Sequence, residues 1–468
     1  MAFVFWDTET TGLSTDFDQI LQFAAIRADE DLQETDRLDL RCRLHPFVVP
    51  GPGALRVTRM TIDRLTDSAL PCHYDMIRQI RAKLLEWSPA VFIGYNSLRF
   101  DEELLRKTLF RTLHSPYLTN TGGNSRADAM TLVQAASVFA PDCLQVPVGD
   151  DGKPVFKLDR FAPLNGFDHA DAHDALGDVR ATLHLARCVR ERAPEVWSRF
   201  LRFATKASVA AFLDEEDAVV LTEFYFKKPY QFVVSAFGSD PGNPAAILAL
   251  DLNNDLEWVA SLGPSQLAAW VGRSPKPVRR IKTNAAPTIA AVDDVPQHMI
   301  TPLDLETIAS RAARLRGDEA LCARLVEAVS EAAPEYEDSL IVEEQLYSGG
   351  FVSPADQALM DRFHEVDWLE RMAVVGQMQD ERLRYHGHRL IYESSPQLLS
   401  PAHRRDIEDA MWERLLMEPV PKGKWTSLHA ALAETEMLLA DVDAGENGML
   451  TGLREHLLHR IAEGRARG

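Results

Sequence analysis

Cysteine is scarce in this sequence, and long hydrophobic runs are missing. Five cysteines occur among 468 residues, and no two of them form a Cys-x-x-Cys pair. Disulfide frameworks and structural zinc sites are therefore not expected. No apolar run approaches the roughly 18 residues that a membrane span needs. The first residues also lack the basic start of a secretory signal, so we expect a cytoplasmic protein that does not associate with membranes.

Positive charge is also in short supply. The chain carries 50 Lys and Arg residues against 70 Asp and Glu residues, which gives a formal net charge of −20. This balance argues against a protein that coats nucleic acid through bulk positive charge. Binding to a polyanion would have to be focused in a local basic groove, with help from metal ions and base stacking.

The most informative stretch lies at the start of the chain. Residues 3–6 are four bulky apolar residues, typical of a strand buried on both faces, and Asp7 and Glu9 follow directly. Because side chains alternate along a strand, both carboxylates project from the same face. Two neighbouring carboxylates at the end of a buried strand repel each other, and a divalent cation would relieve that repulsion. The alternative is that one acid caps the following turn and the other is solvated.

The order of predicted elements indicates an α/β layer with a mixed sheet. A β-meander covers residues 1–45, a helix covers 74–87, and a buried strand covers 90–94. Residues 119–126 read as a polar connection before the next helix. A further meander is predicted over 218–260, and the pattern after Glu343 is helical.

A second acidic segment follows the strand at 90–94. Ser97 is a candidate N-cap for a helix whose first turns contain Asp101, and strands of such sheets deliver ligand-binding groups at their carboxyl ends. Asp101 is therefore placed to approach Asp7 and Glu9. The next acids, Glu102 and Glu103, are predicted to be solvated first-turn residues favoured by the helix dipole. Asp128 is predicted to be a capping or first-turn acid of a later helix rather than a metal ligand.

A third segment contains two overlapping pairs of histidine and aspartate at the same spacing. His169 pairs with Asp174 in one reading, and His173 pairs with Asp178 in the other. The spacing alone does not choose between them.

Together the three segments resemble the DEDD exonuclease superfamily in its histidine-bearing branch. The matching motifs are Asp-Thr-Glu-Thr at 7–10, Asn96 followed by Phe-Asp at 100–101, and His-Asp-Ala-Leu-Gly-Asp at 173–178. The last motif selects His173 and Asp178. The resemblance implies catalysis with two magnesium ions, for which manganese is a possible substitute. It implies four metal ligands, which are Asp7, Glu9, Asp101 and Asp178. It also implies that His173 is the general base.

The rest of the chain resembles the bacterial exonuclease I family. The matching stretches are 22–27, 94–102, 124–126, 281–290 and 344–349. The resemblance implies a ribonuclease H-like exonuclease domain at 1–194, an SH3-like β domain at 195–340 and a C-terminal helical domain at 341–468. It implies a monomeric 3′-to-5′ exodeoxyribonuclease that degrades single-stranded DNA to 5′-mononucleotides in repair and recombination. The acidic tail of the single-strand-binding protein is an implied partner.

Contacts to the DNA strand are also expected. By family analogy, Thr10 and Leu13 meet the terminal nucleotide. Clustered basic and aromatic residues supply candidate phosphate and base contacts, although a charged run is often only a solvated face. The remaining candidate strand contacts are Asn96, Arg126, Arg279 and Arg280.

Two other functions stay open. An RNA-directed or proofreading 3′-to-5′ exonuclease of the same superfamily would share every catalytic residue. A catalytically inactive single-strand-binding scaffold is a different class of answer, and the complete set of catalytic residue types argues against it.

Overall fold

A computed structural model describes residues 2–168, 173–334, 337–441 and 447–467. The strands are β1 (Ala2–Thr10), β2 (Ile20–Ala28), β3 (Glu34–Arg41), β4 (Ala90–Gly94), β5 (Ser125–Asp128), β6 (Val219–Tyr225), β7 (Lys228–Asp240), β8 (Asn243–Asp251), β9 (Val278–Lys282) and β10 (Ile289–Ala291). The α-helices are α1 (Pro52–Thr58), α2 (Ile62–Leu65), α3 (His73–Trp87), α4 (Asp101–Arg111), α5 (Ala129–Phe139), α6 (Leu158–Leu164), α7 (Ala175–Arg192), α8 (Pro194–Arg202), α9 (Lys206–Glu215), α10 (Leu256–Ser261), α11 (Pro264–Gly272), α12 (Leu305–Arg316), α13 (Glu319–Glu331), α14 (Pro354–Glu365), α15 (Trp368–Gln377), α16 (Glu381–Ser394), α17 (Pro401–Leu416), α18 (Leu428–Asp441) and α19 (Asn447–Arg465).

The first sheet has the strand order β3-β2-β1-β4-β5, with β1 at its centre. β1 pairs antiparallel with β2 and parallel with β4, so the predicted mixed α/β sheet is confirmed. Alternation along β1 sends Phe3 and Phe5 into a core shared with α5 and α7. Val4 and Trp6 enter the opposite core, which α3 and α4 cover. Both faces of β1 are therefore buried, as its continuous apolar run predicts.

The edge strand β5 was not predicted. It occupies part of the segment interpreted as a polar connection, and it pairs parallel with β4. Four residues with two charged side chains give almost no periodic signal. Its strand conformation depends on hydrogen bonds to β4, which sequence patterning does not reveal.

The second sheet is antiparallel throughout, in the order β10-β6-β7-β8-β9. Its central strands β6, β7 and β8 confirm the predicted meander. The short edge strands β9 and β10 were missed, because their residues read as a basic run and a proline-rich loop. The sheet lies within 195–340, but the SH3-like assignment and the domain boundaries at 194/195 and 340/341 stay predictions.

The C-terminal helices pack against the first domain through apolar clusters. Tyr74 and Phe110 of the first domain share one cluster with Phe363 and Leu390. A second cluster joins α1 and α2 to residues of α17, α18 and α19. Within the described ranges, no helix is both long and apolar enough to cross a membrane.

Candidate active site

The end of β1 and the first turn of α7 bring three carboxylates together. Oxygen atoms of Asp7, Glu9 and Asp178 all lie within 4.8 Å of one another. Asp7 and Glu9 project from the same face of β1 as Phe3 and Phe5, and that face points towards α7. The shared face predicted for Asp7 and Glu9 is therefore the face that α7 covers, where Asp178 is held.

Crowding of these groups disfavours their ionised forms. Burial raises the pKa of Asp7 well above its usual range, and the carboxylates of Asp101, Asp178 and Glu9 raise it further. Burial and the neighbouring acids raise the pKa of Glu9 to about 8. Oxygen donors gathered at this spacing with unfavourable mutual repulsion suit a hard divalent cation.

Asp101 lies beside this group rather than within it. Thr8 Oγ1 donates a 2.5 Å hydrogen bond to Asp101 Oδ1. Thr8 projects from the opposite face of β1 to Asp7 and Glu9, so it faces α4. Asp101 is the first residue of that helix. Burial raises the pKa of Asp101 to about 7, and the Thr8 hydroxyl opposes the rise. The fourth predicted carboxylate therefore approaches the site from the α4 side of the sheet.

The predicted general base stands next to Asp178. His173 is exposed and adopts a left-handed backbone conformation with φ of 67°. Its backbone N–H donates to Asp178 Oδ1 at 3.4 Å. Asp174 precedes α7 directly, where it forms an ion pair with Arg41 and accepts a 3.1 Å hydrogen bond from Gln22 Nε2. His169, the alternative histidine, lies outside the described residues.

Asp128 caps α5, as predicted. Its carboxylate accepts a 2.9 Å hydrogen bond from the Met130 backbone and a 2.7 Å hydrogen bond from the Asn96 backbone. Asn96 is exposed and left-handed, with φ of 58°. Asp128 thus fixes the turn that presents Asn96 between β4 and α4.

The last residue of β1 and the loop that follows it carry the predicted contacts to the terminal nucleotide. Thr10 is buried, and its hydroxyl donates a 2.8 Å hydrogen bond to the Gly12 carbonyl. Leu13 is 89% exposed, an unusual position for a leucine two residues beyond a buried turn. Leu13 thus offers an exposed apolar contact for a nucleobase, four residues after Glu9.

The prediction that Glu102 is solvated is wrong. Glu102 is only 2% exposed, and it accepts hydrogen bonds from Arg126 at 2.9 Å and from the Thr119 hydroxyl. Arg106 adds a second ion pair at 3.5 Å. Arg126 belongs to the edge strand β5, so the strand supplies one partner of this network. Arg126 is itself 7% exposed, which disfavours direct contact with a strand, and that assignment stays a prediction.

The two arginines predicted to bind phosphate lie on β9. Arg279 is 8% exposed, its guanidinium lies 3.5 Å from the centre of the Phe232 ring, and it donates to Glu223 at 3.3 Å. Arg280 donates to Asp240 at 2.6 Å. Both guanidinium groups have carboxylate partners, and burial makes Arg279 the less suitable phosphate contact. Phosphate binding by either residue stays a prediction.

Two supporting residues were missed from the sequence. Thr8 holds Asp101, and its position between the two motif acids was the available signal. Gln22 is fully buried on β2 opposite Glu9, and it also contacts Asp174 at the start of α7. An uncharged amide inside the otherwise apolar run at 20–26 was the signal for that residue.

Comparison with known proteins gives matches over most of the chain. Residues 4–186 match the family described as Exonuclease, RNase_T. Exodeoxyribonuclease I of Haemophilus influenzae is 25% identical over 405 residues, which cover 82% of each chain. Exodeoxyribonuclease I of Escherichia coli strain K12 is 27% identical over 389 residues, which cover 76% of this chain and 78% of that protein.

Solved structures extend the similarity to nearly every residue. Exonuclease I from Methylocaldum szegediense is 26% identical, with a TM-score of 0.84, and the match covers 98% of this chain and 99% of that chain. E. coli exonuclease I in complex with a dA16 oligonucleotide has the same fold at 24% identity, with a TM-score of 0.84 and the same coverage.

Proposed function

Residues 4–186 belong to the Exonuclease family, and the chain is a homologue of the bacterial exodeoxyribonucleases I. We propose on this basis that the protein is a 3′-to-5′ exodeoxyribonuclease acting on single-stranded DNA. The products are 5′-mononucleotides, and the cellular role is DNA repair and recombination. The observation that carries the proposal is the cluster of Asp7, Glu9 and Asp178, whose oxygens lie within 4.8 Å of one another.

The carboxylates would hold the divalent cations that the family uses. We propose two Mg²⁺ ions, with Mn²⁺ as a substitute, held by Asp7, Glu9 and Asp178 and completed by Asp101. When bound, such cations offset the negative charge that a phosphodiester gains during hydrolysis. The raised pKa of Glu9, about 8, means that the metal-free site retains protons near neutral pH, so metal binding releases them.

His173 is proposed as the general base. An imidazole nitrogen can accept a proton from water, and the His173 side chain is exposed beside Asp178, where a strand and water have access. The hydrogen bond between the His173 backbone and Asp178 ties the base to the carboxylate cluster. The side chain would take the proton of the water that attacks the terminal phosphodiester.

Exposed apolar and aromatic side chains provide candidate contacts for the bases. Leu13 is 89% exposed in the loop that follows Asp7 and Glu9 along the chain. The hairpin between β6 and β7 exposes Phe226 at 86%, Tyr225 at 41% and Tyr230 at 42%, next to Lys228. Aromatic side chains next to a cation can stack on the bases of a single strand without sequence preference. Such stacking would supply affinity that the low positive charge of the chain does not.

Other expectations remain predictions. Arg280 is half-exposed on β9 and, with Asn96, is proposed to contact the backbone of the strand. The family resemblance also leads us to propose that the protein is a monomer. We further propose that it binds the acidic tail of the single-strand-binding protein.

Degradation of end-labelled oligonucleotides tests the proposal. The protein is incubated with matched single-stranded DNA, double-stranded DNA and RNA that carry a 5′ label, with Mg²⁺ or with EDTA. We expect a ladder that shortens from the 3′ end only for single-stranded DNA and only with Mg²⁺. Preferential loss of RNA would favour the RNA-directed alternative. Binding to single strands without cleavage would favour the inactive scaffold.

A further inference from the structure

We propose that the C-terminal helical region positions the active-site loop, residues 11–19, through a contact of Phe17 with Trp425 and Arg414. The proposal rests on the proposed nuclease function and adds a positioning role for residues that do not touch the reacting atoms. The loop connects β1 to β2 and carries the exposed Leu13.

One side of the loop is tied to the exonuclease domain. Asp18 accepts 2.7 Å hydrogen bonds from the Thr11 hydroxyl and from the Ser14 backbone, which closes the loop on itself. From α4, Arg111 donates to the Asp18 carbonyl at 3.1 Å, and Lys107 donates to the Thr15 hydroxyl at 2.9 Å. These contacts restrain the base of the loop but leave Leu13 exposed.

The other side of the loop contacts the C-terminal helical region. Phe17 is 9% exposed and meets the edge of the Trp425 ring, with ring centres 5.4 Å apart. The Arg414 guanidinium lies 5.4 Å from the Phe17 ring centre and 4.8 Å from the Trp425 ring centre. The Trp425 indole N–H also donates to the Arg414 carbonyl at 2.8 Å. Phe17 is therefore held between two side chains more than 390 residues away in sequence.

Glu343 anchors this contact within the C-terminal region. It is 4% exposed and accepts hydrogen bonds from Arg414 at 2.7 Å, Arg389 at 2.8 Å and Tyr385 at 3.1 Å. Burial opposes its ionisation, but the two arginines hold the Glu343 pKa well below its usual range. A buried carboxylate with three donors keeps Arg414 in one orientation over Phe17.

Through this contact the helical region can affect the position of Leu13 relative to the carboxylates. Phe17 is four residues from Leu13 in the same closed loop, whereas Asp7, Glu9 and Asp178 are carried by β1 and α7. Loss of the Phe17 contact would shift Leu13 relative to the carboxylates without removing a metal ligand. We therefore expect a slower bond-breaking step with unchanged metal requirement.

A double-mutant cycle tests this route. The single-turnover rate of removal of the 3′-terminal nucleotide is measured at saturating enzyme for Trp425→Ala, Leu13→Ala and the double variant, over a Mg²⁺ titration. We expect each single variant to be slower by about 10- to 100-fold, since a substrate misplacement of about 1 Å can cost about 10²-fold in rate. The double variant should be no slower than the slower single variant, because both changes act through Leu13. The Mg²⁺ concentration for half-maximal rate should stay within about twofold of wild type.

Controls separate positioning from general loss of structure. Trp425→Phe keeps a ring against Phe17 and should restore most of the rate. Phe17→Ala breaks the same contact from the loop side, and it tests the proposal even if Trp425→Ala does not fold. Trp258→Ala removes a half-exposed tryptophan that packs against Trp270 in the second sheet domain, and it should cleave like wild type.

Three results would overturn the proposal. In the first, the rate loss of the double variant equals the product of the two single losses. In the second, Trp425→Ala or Phe17→Ala cleaves at the full wild-type rate, and in the third, a variant needs a different Mg²⁺ concentration for half-maximal rate. Failure of the proposed function is a separate outcome, because it would appear as inactivity of wild type and Trp258→Ala alike.

Discussion

Replacement of Glu9 by glutamine should stabilise the metal-free protein at alkaline pH while it abolishes hydrolysis. In the folded state, burial and the neighbouring acids raise the pKa of Glu9 from 4.5 to about 8. Between these two pH values the folded state binds more protons than the unfolded chain. The stability of the metal-free protein therefore falls as pH rises through this window, and the loss is complete above about pH 8.

The size of the effect follows from the same pKa difference. It corresponds to about 5 kcal/mol if the surroundings stay rigid, at 1.36 kcal/mol for each unit of pH. Entry of water and side-chain rearrangement relieve part of the repulsion, so we expect Glu9→Gln to gain about 2 to 5 kcal/mol at pH 9. At pH 5 the folded wild type keeps the proton on Glu9, and the two proteins should differ by less than about 1 kcal/mol.

Scanning calorimetry in EDTA at both pH values measures this difference. One kcal/mol shifts the midpoint of a domain of about 150 to 250 residues by about 2 to 4 °C, so the variant should melt about 4 to 20 °C higher at pH 9. Glu191→Gln, an exposed site on α7, is the matched control and should change neither midpoint. Saturating Mg²⁺ should close the gap, since it neutralises the wild-type cluster. Equal midpoints of Glu9→Gln and wild type at pH 9 in EDTA would refute the crowding of carboxylates from which this reasoning starts.

Three further predictions concern the site and its support. Asp178→Asn should abolish cleavage while the protein stays folded and binds a single strand in filter-binding assays, and near-normal rates would remove Asp178 from the ligand set. His173→Ala should slow cleavage by about 10² to 10⁴-fold with unchanged Mg²⁺ requirement; if His169→Ala is the damaging change instead, the other histidine–aspartate pair is the functional one. Glu102→Gln should cost about 3 to 5 kcal/mol in urea unfolding, because Arg126 would keep a buried charge without its carboxylate partner, and an unchanged midpoint would show that this ion pair contributes nothing to stability.

Local patterning was a reliable guide where one strand or helix contains the whole signal. The shared face of Asp7 and Glu9, the helix at 74–87 and the strand at 90–94 were predicted from periodicity, and all three are confirmed. Patterning failed for Glu102, which has the sequence context of a solvated first-turn acid. Its burial depends on Arg126 and on strand β5, 24 residues further along the chain.

Residue types and their order along the chain were enough to predict which side chains could perform the chemistry. Strand alternation depends only on neighbouring residues, so the projection of Asp7 and Glu9 from one face was already implied by their spacing. The side of the sheet from which each further acid approaches depends on helix packing, which patterning does not reveal. Asp178 enters from α7 on that face, whereas Asp101 reaches Thr8 from α4, because the two helices cover opposite sides of one sheet. The contact of Phe17 with Trp425 was equally beyond sequence patterning, since it depends on how the C-terminal helices pack against the first domain.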